Sequence, residues 1–217
     1  MSIEIASLEP TLVEGMTSDE LAAAMPELVR TFVGRAADQA TMWRDWSMRW
    51  LAAWNEHDLE RVLTLVTDDV VYEDPSLFGE RLTGKAALRE VVTMTWRAFP
   101  DVRFELSGTP YLALLGTGMA VPWRMRATFA GDMGGGPSPL GIAPTGRRFD
   151  AHGVDVYELN DGLLCRWSTT TDLFDLAQQV GMLPGPRTRL FQFGIRIQRL
   201  GAPLLRSIHR FRGRHRR

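Results

Sequence analysis

Val70-Val71-Tyr72-Glu73-Asp74-Pro75 is the stretch on which the reading of this chain turns. Its β-branched and aromatic residues spell a short strand, and the proline closing it cannot continue a ladder. Side chains alternate along a strand, so Val70, Tyr72 and Asp74 share one face while Val71 and Glu73 share the other. A carboxylate on an apolar face is costly unless it shifts its pKa, finds a donor or lines a cavity. Two readings of Asp74 are open at this point. Either it faces water and caps the turn before Pro75, or it points into a pocket.

Upstream, Trp43, Trp46, Trp50 and Trp54 recur at spacings of three and four, which predicts one face of a helix over Thr41–Glu56. That stripe reads first as core. Asn55-Glu56-His57-Asp58 breaks the helix, Asp58 caps a second one to about Val66, and Thr67-Asp68-Asp69 turns the chain into the strand. Downstream, Leu77–Gly84 is loop, Thr83 is suited to cap a third helix from Lys85 to about Phe99, and Pro100 stops it.

Beyond Pro100 the period changes to two. Val102–Ser107, Tyr111–Leu115, Ala120–Phe129, Arg148–Leu159 and Leu163–Thr171 read as antiparallel strands, the last pair joined by a tight Asn160-Asp161-Gly162 turn. Asp172 caps a last short helix, with Asp175 in its first turn and Gly181 past its end. Six glycines and three prolines between Gly131 and Gly146 make a loop placed to cover a cavity mouth. Helices first and long strands afterwards predict an α+β fold in which a curved antiparallel sheet wraps three N-terminal helices, leaving a conical pocket.

The 217 residues fit one domain with extensions. These are an N-terminal helical extension (1–40) of one or two short helices, a domain (41–184) and an arginine-rich amphipathic tail (185–217). In the extension Thr17-Ser18-Asp19-Glu20 begins a capped helix and Pro26 is placed to split it. No apolar run approaches the ~20 residues of a membrane span, and Met1-Ser2-Ile3-Glu4 does not begin a secretory signal, so a cytoplasmic protein is expected. Cys165 is the only cysteine, which excludes an internal disulfide and a cysteine-built metal site. No His/Asp/Glu cluster has metal-ligand spacing and no glycine-rich turn offers a phosphate cradle. Neither metal nor other cofactor is expected.

The net charge of −1 hides an asymmetry. From Arg187 onward there are ten arginines, two histidines and no acid, so residues 1–186 hold fifteen basic against twenty-six acidic residues, about −11. The tail reads as a basic amphipathic helix broken at Gly201-Ala202-Pro203. Its expected place is on the acidic domain, with peripheral membrane contact as the alternative and no nucleic-acid role.

Leu51–Glu60, Asp68–Pro75 and Thr83–Glu90, taken in order, resemble the first half of the nuclear transport factor 2-like superfamily, in its ketosteroid isomerase branch. Pro144-Thr145-Gly146-Arg147, the Asp161-Gly162 hairpin and Gln179-Val180-Gly181 resemble SnoaL-type polyketide cyclases and limonene epoxide hydrolases. The resemblance implies that Asp74 is the proton-shuttling base and Asp155 a protonated aspartate donating to a developing oxyanion. The cyclases tend to place a histidine at the Asp155 position. Trp50 stands where the isomerases keep an oxyanion tyrosine, a departure because an indole is a far weaker acid. Tyr72 matches the hydrolases' water-positioning tyrosine and Trp167 a pocket tryptophan. Asp74 replaces their asparagine, and Thr169 stands where an essential aspartate is kept. Arg124 and Arg126 flank the place of their arginine–aspartate pair without supplying the aspartate.

The residues themselves give a compatible pattern. Asp155 and Tyr157 share one strand face, Trp167 and Thr169 another, and His152 points away from Asp155. Asp155 is either the pocket acid or the partner of Arg124 or Arg126. The expectation is a cofactor-independent isomerase or cyclase transferring protons on a small hydrophobic carbonyl compound. Asp74, Asp155 and Tyr72 are its catalytic candidates. Trp50, Trp54, Arg124, Arg126, Tyr157, Trp167 and Thr169 are expected to contact substrate. The alternatives are a non-catalytic binding or dimerisation module and an epoxide hydrolase or dehydratase. The resemblance also implies a homodimer through the open sheet face.

Overall fold

The computed structural model describes residues 15–114, 116–134 and 142–214, the last twelve of these by backbone only. Its first element is a single helix, α1, over Ser18–Glu56. Thr17 and Glu20 close a reciprocal capping box at its start, and His57 ends it in the left-handed region. The expected split at Pro26 does not occur. Proline withholds one bond from the Ala22 carbonyl, and Ala22 is exposed, so water can serve that group. The extension and the tryptophan helix are therefore one rod. Gln39 and Arg35 tie it to the sheet by donating to the carbonyls of Gly116 (2.8 Å) and Leu114 (2.7 Å).

Asp58 caps α2 (Leu59–Thr64), and the chain enters β1 (Val66–Glu73). A one-turn 3-10 helix at Pro75–Leu77 leads to β2 (Arg81–Thr83) and α3 (Lys85–Ala98). Gly84, not Thr83, occupies the N-cap of α3, with φ of 90°. Thr83 is taken by the ladder opposite Val71. Then come β3 (Arg103–Leu106), β4 (Tyr111–Leu112), β5 (Gly118–Thr128), β6 (Arg148–Asn160) and β7 (Leu163–Thr171). Helix α4 (Leu173–Gln179) is capped by Asp172 as its sequence predicts, and α5 (Arg189–Arg214) is the last described element. The predicted break at Gly201-Ala202-Pro203 is absent, since α5 runs through it.

The sheet order is β2-β1-β7-β6-β5-β3, with β4 also on β5. One pair departs from the all-antiparallel expectation. β1 runs parallel to β7, Tyr72 opposite Trp167. A parallel neighbour needs a long crossover, here everything between residues 73 and 163, and local periodicity carries no sign of it.

All four stripe tryptophans are buried between α1 and the sheet. Trp46 stacks on Trp50 with ring centroids 5.0 Å apart and donates its indole N–H to the Leu65 carbonyl (3.1 Å). A second apolar cluster gathers Phe99, Phe129, Phe149 and Val180 at the α4 end. Asn55 joins α1 to β3 as a strand would. Its amide donates to the Phe104 carbonyl (3.0 Å) and its oxygen accepts from the Phe104 N–H (2.8 Å). Asn55→Ala removes both and strands two backbone groups, so a loss of about 2 kcal/mol is expected in a denaturant titration.

Candidate active site

Strand register builds the site in rows. Tyr72 on β1, Trp167 on β7, Tyr157 on β6 and Met119 on β5 lie side by side across the sheet. One step along, Thr169 faces Asp155 and Asp155 faces Val121, while Asp74 follows β1 on the Thr169 side. The next row sets Thr171 by Gly153 and Gly153 by Trp123. Period-two alternation thus brings two aspartates, 81 positions apart in sequence, to one level of one sheet face.

That level opens on a cavity of about 490 Å³ between the two apolar clusters. Trp54, Tyr72, Asp74, Asp155, Trp167 and Thr169 line it, α3 contributes Val91 and Met94, and α4 closes over it with Leu173 and Ala177. Four methionines and five phenylalanines are in its wall, and among the described residues no lysine, arginine or histidine is. Phe78, held at φ of 54° and exposed, stands at its mouth. Nothing in the sequence pattern singles out Phe78, because a left-handed bulky residue is a tertiary outcome.

Both readings of Asp74 hold at once. Its Oδ1 accepts the Ser76 N–H (2.6 Å), which caps the turn before Leu77, and its Oδ2 accepts the Tyr72 hydroxyl (2.6 Å) on the cavity wall. Burial, reinforced by the Asp74 charge, pushes the Tyr72 phenol well up, so Tyr72 stays a neutral donor.

Asp155 is arranged as a mirror of this pair. Its Oδ2 accepts the Tyr157 hydroxyl at 2.6 Å, and it is buried. Burial pushes its carboxyl up; Thr169, Tyr157, Trp167 and Trp123 oppose the shift without cancelling it. Its Oδ1 is buried with no hydrogen bond of good geometry. Such an orphaned oxygen beside a cavity is where a ligand group supplies the missing partner.

Four predicted contacts lie elsewhere. Trp50 and Tyr157 do not line the large cavity. They border a separate space of about 140 Å³ that shares Asp155, Trp54 and Trp167 with it. Trp50 packs edge-on against Tyr157 (ring centroids 6.2 Å apart), whose hydroxyl reaches Asp155, so Trp50 stands two steps behind the acid and not at the position of a direct oxyanion donor. Arg124 and Arg126 alternate with Trp123 and Met125 along β5 and fall on the outer face. Arg124 binds Asp150 side-on through its Nε and Nη2 and Arg126 binds Glu105, so neither is the partner of Asp155. His152 is exposed on that outer face.

Sequence reasoning missed Trp123 and Gly153. The Trp123 ring lies over Gly153, where an added Cβ would meet Trp123 Cζ2 at 2.2 Å and the Thr170 carbonyl at 2.5 Å. A lone glycine inside a strand pattern was the available signal for such a close approach. Gly153→Ala is expected to cost about 3 kcal/mol by overpacking and to displace Trp123 from the wall, read as a lowered melting midpoint with altered tryptophan fluorescence.

Residues 48–167 match the SnoaL-like domain family. Among solved structures the chain is similar to AclR, a candidate hydroxylase from Streptomyces galilaeus, at 20% identity over 80% of this chain and 97% of that one (TM-score 0.54). It is also similar to a candidate SnoaL-like polyketide cyclase from Jannaschia sp. CCS1, at 17% identity over 66% and 94% (TM-score 0.56). A protein of ketosteroid isomerase-like fold from Catenulispora acidiphila DSM 44928, in complex with trimethylamine, aligns at 19% identity over 66% and 96% (TM-score 0.51). At these identities the likeness shows the fold. No curated protein matches the chain.

Proposed function

This chain belongs to the SnoaL-like domain family, and from that premise we propose that it is a cofactor-independent enzyme transferring protons on a neutral, largely apolar carbonyl compound. The observation that carries this is the shared level of Asp74 and Asp155 on the wall of an apolar cavity, with Asp155 pushed toward its neutral form and one of its oxygens without a hydrogen bond of good geometry. A carboxylate base and a carboxylic acid in one dry site are the two groups an enolisation needs.

In this reading Asp74 takes a proton from the carbon beside the carbonyl. The C–H electron pair moves into the new C=C bond, and the carbonyl oxygen takes up negative charge facing the Asp155 carboxyl. Return of the proton to a different carbon is isomerisation; attack of the enolate carbon on a second carbonyl of the same molecule is cyclisation. Tyr72 orients the base, and Tyr157 with Trp50 behind it orients the acid. Trp54, Trp167 and Thr169 shape the cavity around the reacting carbon. The absence of cationic side chains in the described wall favours uncharged substrates over carboxylates and phosphates. It also leaves the arginine–aspartate pair of an epoxide hydrolase without a counterpart there.

The test is solvent deuterium exchange into a panel of cyclic ketones and enones, wild type against Asp74→Asn. Exchange in the wild type alone supports the proposal. A non-catalytic binding module is the second reading, favoured by the turn-capping bond from Ser76 to Asp74. It predicts tight binding of panel compounds by both proteins and exchange by neither. A homodimer through the outer face of β5, β6 and β7, where Val154 and Val156 are exposed, is part of the proposal; light scattering of the eluted protein at the monomer mass would overturn that part.

A further inference from the structure

Helix α5 is a long element whose described apolar face the domain does not cover. Leu190, Phe193, Ile197 and Leu200 follow spacings of three, four and three, which aligns them on one stripe. They are 66%, 59%, 55% and 82% exposed. The sequence continues that spacing through Leu204, Ile208 and Phe211. On a wheel of 100° per residue, Arg199, and in sequence Arg206 and Arg210, fall on the side away from the stripe, while Arg189, Arg196 and Arg214 flank it. The helix carries seven arginines and no acid.

The acidic remainder of the chain, about −11 over residues 1–186, would be the nearest counter-charge, but a helix laid on its own domain for stability would bury its apolar stripe there, and this one presents it to solvent. A basic helix with an uncovered apolar stripe matches a surface that is anionic outside and apolar a few ångströms beneath. We infer that α5 docks the protein on an anionic lipid bilayer, lying in the interface with the Leu190–Phe193–Ile197–Leu200 stripe in the acyl boundary and its arginines among the headgroups. Among the described residues no helix is long and apolar enough to cross a membrane, so α5 lies on the bilayer and does not span it. Duplex nucleic acid offers the charge but no apolar layer for the stripe, and so fits less of the helix.

The test is flotation of the full-length protein with vesicles of equal parts phosphatidylglycerol and phosphatidylcholine, against pure phosphatidylcholine. Binding to the anionic vesicles is expected, at least tenfold tighter than to the neutral ones and weakened at 0.5 M salt. The triple variant Arg189→Gln, Arg196→Gln, Arg199→Gln should bind about a hundredfold more weakly, at a factor of roughly five per arginine. Phe193→Glu with Leu200→Glu should abolish flotation at low salt. All five positions are exposed, so melting midpoints should match the wild type. Three results would overturn the inference: no flotation with either vesicle, equal flotation with both, or a soluble oligomer that Phe193→Glu with Leu200→Glu dissolves. Salt-sensitive binding to duplex DNA without flotation would also overturn it, in favour of a nucleic-acid role.

Discussion

Replacing Asp74 with asparagine is expected to slow proton transfer about 10²–10⁴-fold, the usual contribution of a positioned general base. The substitution keeps the volume of the side chain and leaves an amide oxygen to accept the Ser76 N–H, so the turn cap at Pro75–Leu77 survives. Across from Tyr72 the new amide presents an N–H that the phenol oxygen accepts. The structural cost should stay near 1 kcal/mol. What the amide cannot do is take up a proton at neutral pH. Exchange kinetics and a thermal melt, run on the same preparation, separate the two effects. A variant that exchanges within threefold of the wild type would remove Asp74 from the chemistry and leave it as a turn cap. A variant that loses exchange only because it unfolds would show it in the melt. Tyr72→Phe, which deletes the donor to Oδ2, should have a smaller effect, of order tenfold, because it disturbs the orientation of the base and leaves the base in place.

Asp155 carries the second large effect, and it appears in both rate and stability. Asp155→Leu removes the buried carboxyl at the level of the base, and turnover should fall about 10²–10³-fold, as when one oxyanion donor is deleted. Asp155→Asn retains an N–H donor and should fall between the wild type and Asp155→Leu. For stability the sign follows from the raised pKa of a buried carboxyl. The unfolded chain releases this proton at about pH 4, and the folded one at a higher pH. Between those values the native state binds more protons than the unfolded state. The stabilising contribution is therefore complete below the unfolded pKa and is lost as pH rises through the folded one. Asparagine does not titrate. Relative to wild type, Asp155→Asn should thus gain stability between pH 4 and neutrality. Lowered carboxylates such as Asp150 beside Arg124 and Asp101 beside Thr128 push the other way in both proteins and cancel in the difference. A difference that stays constant across that range in urea titrations would show that Asp155 is ionised in the fold. Its role as proton donor would go with it.

Much of this protein was legible without coordinates. The spacing of Trp43, Trp46, Trp50 and Trp54, the caps at Thr17, Asp58 and Asp172, and the alternation of Tyr72 with Asp74 and of Asp155 with Tyr157 are set by bonds and sterics within a few residues. Local sequence dictates such features, and they placed both aspartates on inward strand faces. Which inward residues meet open space is a different question. Asp155 borders the large cavity while Tyr157, two residues on along the same face, does not. The difference lies in how far the tryptophans of α1 fill the cone at each level. Arg124 and Arg126 looked like pocket residues by position, but their acids, Asp150 and Glu105, come from neighbouring strands on the outer face. The parallel alignment of β1 with β7 joins residues nearly a hundred positions apart, and only closure of the whole sheet fixes it. Pro26 and Gly201-Ala202-Pro203 read as helix breaks because each local rule penalises them, and the helices run through both. The sequence alone determined the elements, their faces and the acids they carry. The tertiary structure decided which of those faces is cavity, which is core and which is left for a partner, because only packing over long separations decides where the space is.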